Sequence, residues 1–218
     1  MTRDWLEWHE QYDSPDSALA RRLEVVQEEL RRALTEAPAE PDGSRRLISM
    51  CAGAGRDVLP VLAGHPAGAA VRALLVELDP TLSDRARDTA ARLGLTAVSV
   101  RTADAGTLEE YRDFVPAHVL MACGVFGNVP VGDAERTIAA MPAMLADGGI
   151  VIWTRGQFDD GPDPSLHLRD RFLDTGFTEV SFVRPDDAHF RVGVHRLGSR
   201  PETALPSGPG ARLFSFVK

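Results

Sequence analysis

The chain has 218 residues, of which 44% are hydrophobic and 26% charged, and its formal net charge is −8. That length suits one α/β domain able to bury a substantial core, and the composition excludes a disordered or fibrous chain. The acidic balance repels phosphate backbones and anionic lipid surfaces, so no nucleic-acid or membrane partner is expected and a small molecule or a protein is preferred.

In chain order, Trp5, Trp8, His9 and Tyr12 fall on one face of a short helix. A second helix is predicted with Ser14 as N-cap and Pro15 at its first position, carrying Leu19, Leu23, Val26, Leu30 and Leu34 along one face. The loop APAEPDG separates this helical cap, residues 1–40, from the body of the same domain, residues 45–218. The body alternates: strand LISMC, helix RDVLPVLAG, strand VRALLVEL, helix PTLSDRARDTAARLG, strands AVSVRTAD and HVLMACG, helix DAERTIAAMPAMLADG, strand GIVIWTR, and a helix from Leu166 to Thr175. Such alternation builds a parallel sheet covered by helices. Beyond Gly176 the strand-like segments FTEVSFVRP, FRVGVHRL and RLFSFVK predict at least one antiparallel strand.

No apolar run approaches the roughly 20 residues a membrane helix needs; the longest is Val119 to Gly127. Cys51 and Cys123, the only cysteines, sit in or beside apolar runs and read as free thiols, which fits a reducing cytoplasm. Lys218 is the only lysine, so no internal lysine is on hand as nucleophile or base.

The first strand leads into CAGAG, where Gly53 and Gly55 let backbone amides approach a ligand at the start of the next helix. Val58 stands at the third glycine of the dinucleotide pattern, which counts against NAD. The second strand ends at Glu77, roughly 20 residues on, where a carboxylate can accept from both hydroxyls of a ribose. Asp79, beside Pro80, is read instead as a helix cap. The third strand ends near Asp104, on the same rim, where a carboxylate can accept from an adenine amino group.

In this order and spacing the chain resembles the class I S-adenosylmethionine-dependent methyltransferases, over about residues 45 to 155. The resemblance implies a Rossmann-like doubly wound sheet of seven strands, with a C-terminal antiparallel strand and, here, the N-terminal helical cap. It implies S-adenosylmethionine as cofactor, held along Cys51, Ala52, Gly53 and Gly55 for the methionine part, Glu77 and Leu78 for the ribose side, and Asp104 with Ala105 for the adenine. Cys123 and Gly124 in VLMACGVFGNVP, with Phe126 and Asn128, match the strand that borders cofactor and acceptor. Ser49 and His118 replace acids common in the family, and Asp57 is placed to share the first acid's task of organising the loop and the methionine amine. The segment lacks the asparagine-proline-proline-aromatic motif of enzymes that methylate amino groups of nucleic-acid bases or glutamine.

The stripe of Trp5, Trp8, His9 and Tyr12 is read first as a packed helix, with a lid over the site as its functional alternative. On the lid reading His9 is the candidate general base, with Tyr12 beside it, and Asn128 is a candidate to orient an acceptor hydroxyl or amine. Arg155 is a candidate for an acceptor carboxylate, or a solvated loop residue. His118 and His65 belong to the rim away from the cofactor, and His167, His189 and His195 show no metal-ligand spacing, so no metal is expected. Two alternatives to a small-molecule methyltransferase stand beside it. A short-chain reductase fails because neither Tyr12 nor Tyr111 is followed by a lysine, whereas a non-catalytic S-adenosylmethionine-binding regulatory module would keep the same cofactor residues.

Overall fold

The computed structural model describes residue 14, residues 17–157, 161–202, 205, 206 and 208, and residues 211–216. Its first helix, α1, runs Ala18–Glu36, and Ser17 rather than Ser14 is the cap: the Ser17 side chain accepts the Ala20 N–H at 3.0 Å. Ser14 instead lends its carbonyl to the Ser17 N–H, in the turn before the helix. Of the expected face, Val26, Leu30 and Leu34 are buried, with Ala33 beside them, and Leu19 and Leu23 are half-buried. α1 lies against the sheet at its β5 (Leu145–Gly156) and β7 (Phe190–Leu197) strands.

The remaining strands are β1 (Arg45–Met50), β2 (Val71–Glu77), β3 (Val98–Thr102), β4 (Ala117–Ala122) and β6 (Phe177–Val183). The helices between them are α2 (Leu59–Gly64), α3 (Pro80–Arg92), α4 (Val131–Met144) and α5 (Pro164–Asp174). One seven-stranded sheet has the order β3-β2-β1-β4-β5-β7-β6. β1 to β5 pair in parallel, and β7 is antiparallel to both its neighbours. All six residues of β4 are buried, as a parallel strand covered on both faces requires. The core accordingly has two layers, one on each face of the sheet.

Proline and aspartate set several boundaries. α2 is shorter than the sequence suggests because Pro60 holds its first turn, leaving Arg56 to Val58 in the turn before it. Asp79 caps α3 as expected, its Oδ1 accepting from Thr81 N and Leu82 N at 2.8 and 3.0 Å. Asp163 does the same for α5 through Ser165 N at 3.0 Å.

RLFSFVK does not form the third C-terminal strand expected of it: residues 211–216 make a single antiparallel bridge, Thr107 to Arg212. The reason is its burial pattern. Leu213 and Phe214 are consecutive yet both pack into the same core layer, whereas a strand would send them to opposite faces. Among the described residues, no helix is long and apolar enough to cross a membrane.

Candidate cofactor site

The register that pairs Ser49 with Met121, Met50 with Val76 and Glu77 with Thr102 brings the ends of β1 to β4 to one edge. There the chain leaves β1 through a turn with left-handed backbone at Cys51 (φ 53°), Gly53 (54°) and Gly55 (70°). Gly55 has a second constraint: a Cβ would lie 2.7 Å from Leu59 Cδ1 and 3.0 Å from Leu75 Cδ2. The turn therefore lies close on β2, with Ala52 N donating to the Val76 carbonyl at 3.0 Å.

Glu77 ends β2 with its carboxylate already aimed. Its Oε2 accepts from Gly53 N at 2.7 Å and its Oε1 from Asp79 N at 2.9 Å. Asp104, just beyond β3, accepts from Gly106 N at 2.9 Å through Oδ1 and from Arg212 Nη2 at 2.7 Å through Oδ2. Tyr111, fully buried, donates its hydroxyl to the Ala105 carbonyl at 2.6 Å, fixing the backbone beside Asp104. At the end of β4 the Gly124 N–H donates to Thr154 Oγ1 at 2.8 Å.

Between these groups lies a cavity of about 420 Å³. Its walls include ten of the residues expected at a cofactor: Cys51, Ala52, Gly53, Asp57, Glu77, Leu78, Asp104, Ala105, Cys123 and Gly124. Gly55 lies behind the turn rather than in the wall. Four acids line it, Asp57, Glu77, Asp79 and Asp104, against the two arginines Arg22 and Arg56. Burial pushes the Asp57 carboxyl up to about 6, with the Arg22 charge pulling the other way. Its Oδ1 is buried and, among the described residues, has no hydrogen-bond partner. Burial also pushes both cavity thiols up, reinforced at Cys51 by the charges of Glu77 and Asp104 and at Cys123 by that of Asp57. Burial of this kind disfavours the nucleophilic thiolate at both.

Other expected residues stand elsewhere. His9 and Tyr12, with Trp5 and Trp8, lie outside the described residues. Asn128 is not in the cavity wall; its Nδ2 donates to the Gly124 carbonyl at 2.7 Å and so holds the turn after β4. Arg155 donates to the Phe126 carbonyl, and Phe126 is buried against Trp153. His118, near the start of β4, accepts from Arg46 N at 2.9 Å, and His65 ends α2, both on the far edge.

The cavity also has walls that the motifs do not announce. α1 contributes Arg22, Leu23 and Val26, and the C-terminal segment contributes Phe216. The apolar stripe of α1 did contain Leu23 and Val26, but a stripe reads as packing; Phe216 carries no local signal at all.

No protein-family model matches the sequence, and no curated protein sequence matches it either. Solved structures do. An O-methyltransferase family protein from Burkholderia thailandensis is similar over 83% of this chain and 56% of its own length, with 18% identity and a TM-score of 0.63. This chain thus spans little more than half of that protein. Magnesium protoporphyrin IX methyltransferase from Synechocystis, solved with S-adenosylmethionine bound, aligns over 81% of this chain and 80% of its own, with 12% identity and a TM-score of 0.61. An O-methyltransferase family 2 protein from Planctomyces limnophilus, in complex with apigenin, aligns over 82% and 59%, with 18% identity and a TM-score of 0.60. Sheet order, the antiparallel β7 and these neighbours together establish that the chain has the class I S-adenosylmethionine-dependent methyltransferase fold.

Proposed function

We propose that the protein is an S-adenosylmethionine-dependent methyltransferase acting on a small-molecule acceptor. The observation that carries the reading is one cavity whose wall holds the Gly53 turn, the pinned Glu77 carboxylate, Asp104 and Asp57 together. Each matches a part of the cofactor. Glu77 suits the ribose hydroxyls, Asp104 and Ala105 the adenine edge, and Asp57 the ammonium of the methionine part. The excess of acids over arginines in the wall suits a sulfonium cation.

When bound, S-adenosylmethionine supplies an electrophilic methyl group on sulfur. The chain's own work is then alignment, since in-line displacement gains most from holding nucleophile, carbon and sulfur in one geometry. Glu77 and the Gly53 amide are held by each other before any ligand arrives, so little ordering cost falls on binding. Cys123 and Gly124, small residues at the end of β4, leave the acceptor room to approach. His9 and Tyr12 remain the candidates to take the acceptor's proton. The apigenin complex of the Planctomyces limnophilus neighbour supports a small-molecule acceptor, as does the net charge of −8.

Titration calorimetry tests the cofactor: S-adenosylmethionine and S-adenosylhomocysteine should each saturate one site, and NAD should not bind. NAD binding alone, or no binding of the first two, overturns the reading. One observation favours a second reading, cofactor binding without catalysis: among the described residues, no histidine, tyrosine or lysine lines the cavity. Saturable binding with no methyl transfer across a panel of hydroxyl, amine, thiol and activated-carbon acceptors would establish that second reading.

A further inference from the structure

The C-terminal segment is stitched to the cofactor edge by backbone bonds. Leu213 N donates to the Gly106 carbonyl at 2.8 Å, and Leu108 N donates to the Ala211 carbonyl at 3.1 Å. From α4, Thr137 Oγ1 donates to the Leu213 carbonyl at 3.1 Å, and Asp133 Oδ2 accepts from Ser215 N at 2.8 Å. Gly106 is what lets the strap lie so close, for a Cβ there would sit 2.2 Å from the Phe214 carbonyl oxygen. A segment anchored this way has a fixed register against Asp104.

One side chain of the strap, Phe216, lies in the cavity wall, and a second, Arg212, holds a carboxylate of that wall. Arg212 donates Nη2 to Asp104 Oδ2 at 2.7 Å and to the Phe214 carbonyl at 3.2 Å. The side chains of Arg212 and Asp104 are 41% and 43% exposed, and an ion pair that open to water adds little to stability. Its consequence is directional, because one Asp104 oxygen is held by the strap and the other by Gly106 N. Phe216 follows four residues later. It and Leu78 are large apolar side chains left 37% and 65% exposed, and they are the only such exposed residues in the cavity wall among the described residues. Apolar surface in the same wall as a fixed carboxylate suits a flat base that offers an amino donor.

Resting on the cofactor reading above, we propose that the C-terminal strap is a working part of the base subsite: Arg212 is a positioning residue that orients Asp104 toward the exocyclic amino group of adenine, and Phe216 with Leu78 supplies the apolar cover for the ring. Base selectivity then depends on a residue 108 positions away in sequence from the carboxylate that reads the base.

The test compares S-adenosylhomocysteine with S-inosylhomocysteine, which lacks the amino donor, on the full chain and on Arg212→Met, Arg212→Lys and Phe216→Ala. The wild type should prefer the adenine form about tenfold, the worth of one charge-assisted hydrogen bond. Arg212→Met should lose most of that preference with its thermal midpoint unchanged, and Arg212→Lys should restore part of it. Phe216→Ala should weaken both ligands equally, by about fivefold. Unchanged affinity and unchanged preference in Arg212→Met and Phe216→Ala would overturn the proposal while leaving the cofactor reading intact. Failure of the wild type to bind either ligand would overturn the cofactor reading, and this inference with it.

Discussion

The cavity edge and the aromatic layer beneath β7 bury an ionisable group in different surroundings. In the layer, Trp153 stacks on Phe172 with ring centroids 5.7 Å apart, and His195 stacks on Phe172 at 4.6 Å. The Trp153 indole N–H donates to His195 Nδ1 at 3.1 Å, and all three side chains are fully buried. At the edge, Asp57 keeps a buried oxygen without a partner, and Cys51 holds a left-handed backbone. Burial moves both titratable groups toward neutrality, His195 down to about 4 and Asp57 up to about 6. The difference is access: the histidine is sealed by rings, and the aspartate opens onto a cavity. A buried polar atom without a hydrogen-bond partner among the described residues occurs in both regions, Oδ1 of Asp57 and Nε2 of His195; what sets the edge apart is its left-handed turn and its opening onto a cavity.

The sharpest way to break the packed side is Gly193→Ala. Gly193 pairs with Trp153 across β5 and β7, and a Cβ there would lie 2.3 Å from the indole Cε2. Trp153 cannot retreat between Phe172 and Phe126, so a loss of about 3 kcal/mol or more is expected in urea unfolding. A loss below about 1 kcal/mol would mean that the layer yields easily. On the open side, Glu77→Ala should weaken S-adenosylmethionine binding by about 100-fold, because it removes the ribose acceptors and frees the Gly53 amide together. Its folding stability should change far less than that of Gly193→Ala, and unchanged affinity would remove Glu77 from the site.

Acid separates the two regions by sign. His195 binds its proton less readily folded, at about 4 against an ordinary 6.5, chiefly through burial, with Glu179 opposing and Arg169 adding to the shift. The unfolded chain therefore takes that proton first, and stability falls as pH drops from 6.5 to 4. Asp57 binds its proton more readily folded, at about 6 against 3.8, so it adds stability as pH drops from 6 to 3.8. Each contribution is at most about 3 kcal/mol, and over the shared range the two oppose each other. Asp57→Asn should steepen the fall in stability between pH 6 and 4.5, and His195→Phe should flatten it. Parallel slopes in both variants would show that neither group drives the acid response.

The sequence made the parallel edge legible because its signals are local. An apolar run of LISMC, glycines at 53 and 55 and an acid at 77 lie on contiguous stretches, and periodicity places each at a strand end. The antiparallel finish was equally plain from FRVGVHRL. What escaped local reading depends on distant partners: Arg212 on Asp104, Phe216 and Leu23 on one cavity, Gly106 on the Phe214 carbonyl. RLFSFVK has strand composition, and only the neighbours that bury both Leu213 and Phe214 make it a strap. The shift of the α1 cap from Ser14 to Ser17 has the same origin, since two serines three apart offer the same chemistry and the neighbouring chain decides.

The smallest effect tests whether the open edge stores strain. Cys51 is the one non-glycine residue with positive φ among the described residues, a conformation that costs an L side chain about 1 kcal/mol or more. At an ordinary position alanine is more stable than glycine by about 0.5 to 1 kcal/mol, because glycine gives up more freedom on folding. At position 51 the order should reverse. Cys51→Ala keeps the strain and discards the thiol's contact with the core cluster around Met50 and Tyr111. Cys51→Gly discards the same contact but relieves the backbone, so it should unfold at a higher urea concentration than Cys51→Ala by the equivalent of about 1 kcal/mol. The comparison cancels the lost thiol and isolates the backbone. If alanine proves the more stable, the turn holds Cys51 without strain, and the two regions differ only in access, Asp57 lining a cavity and His195 sealed by rings.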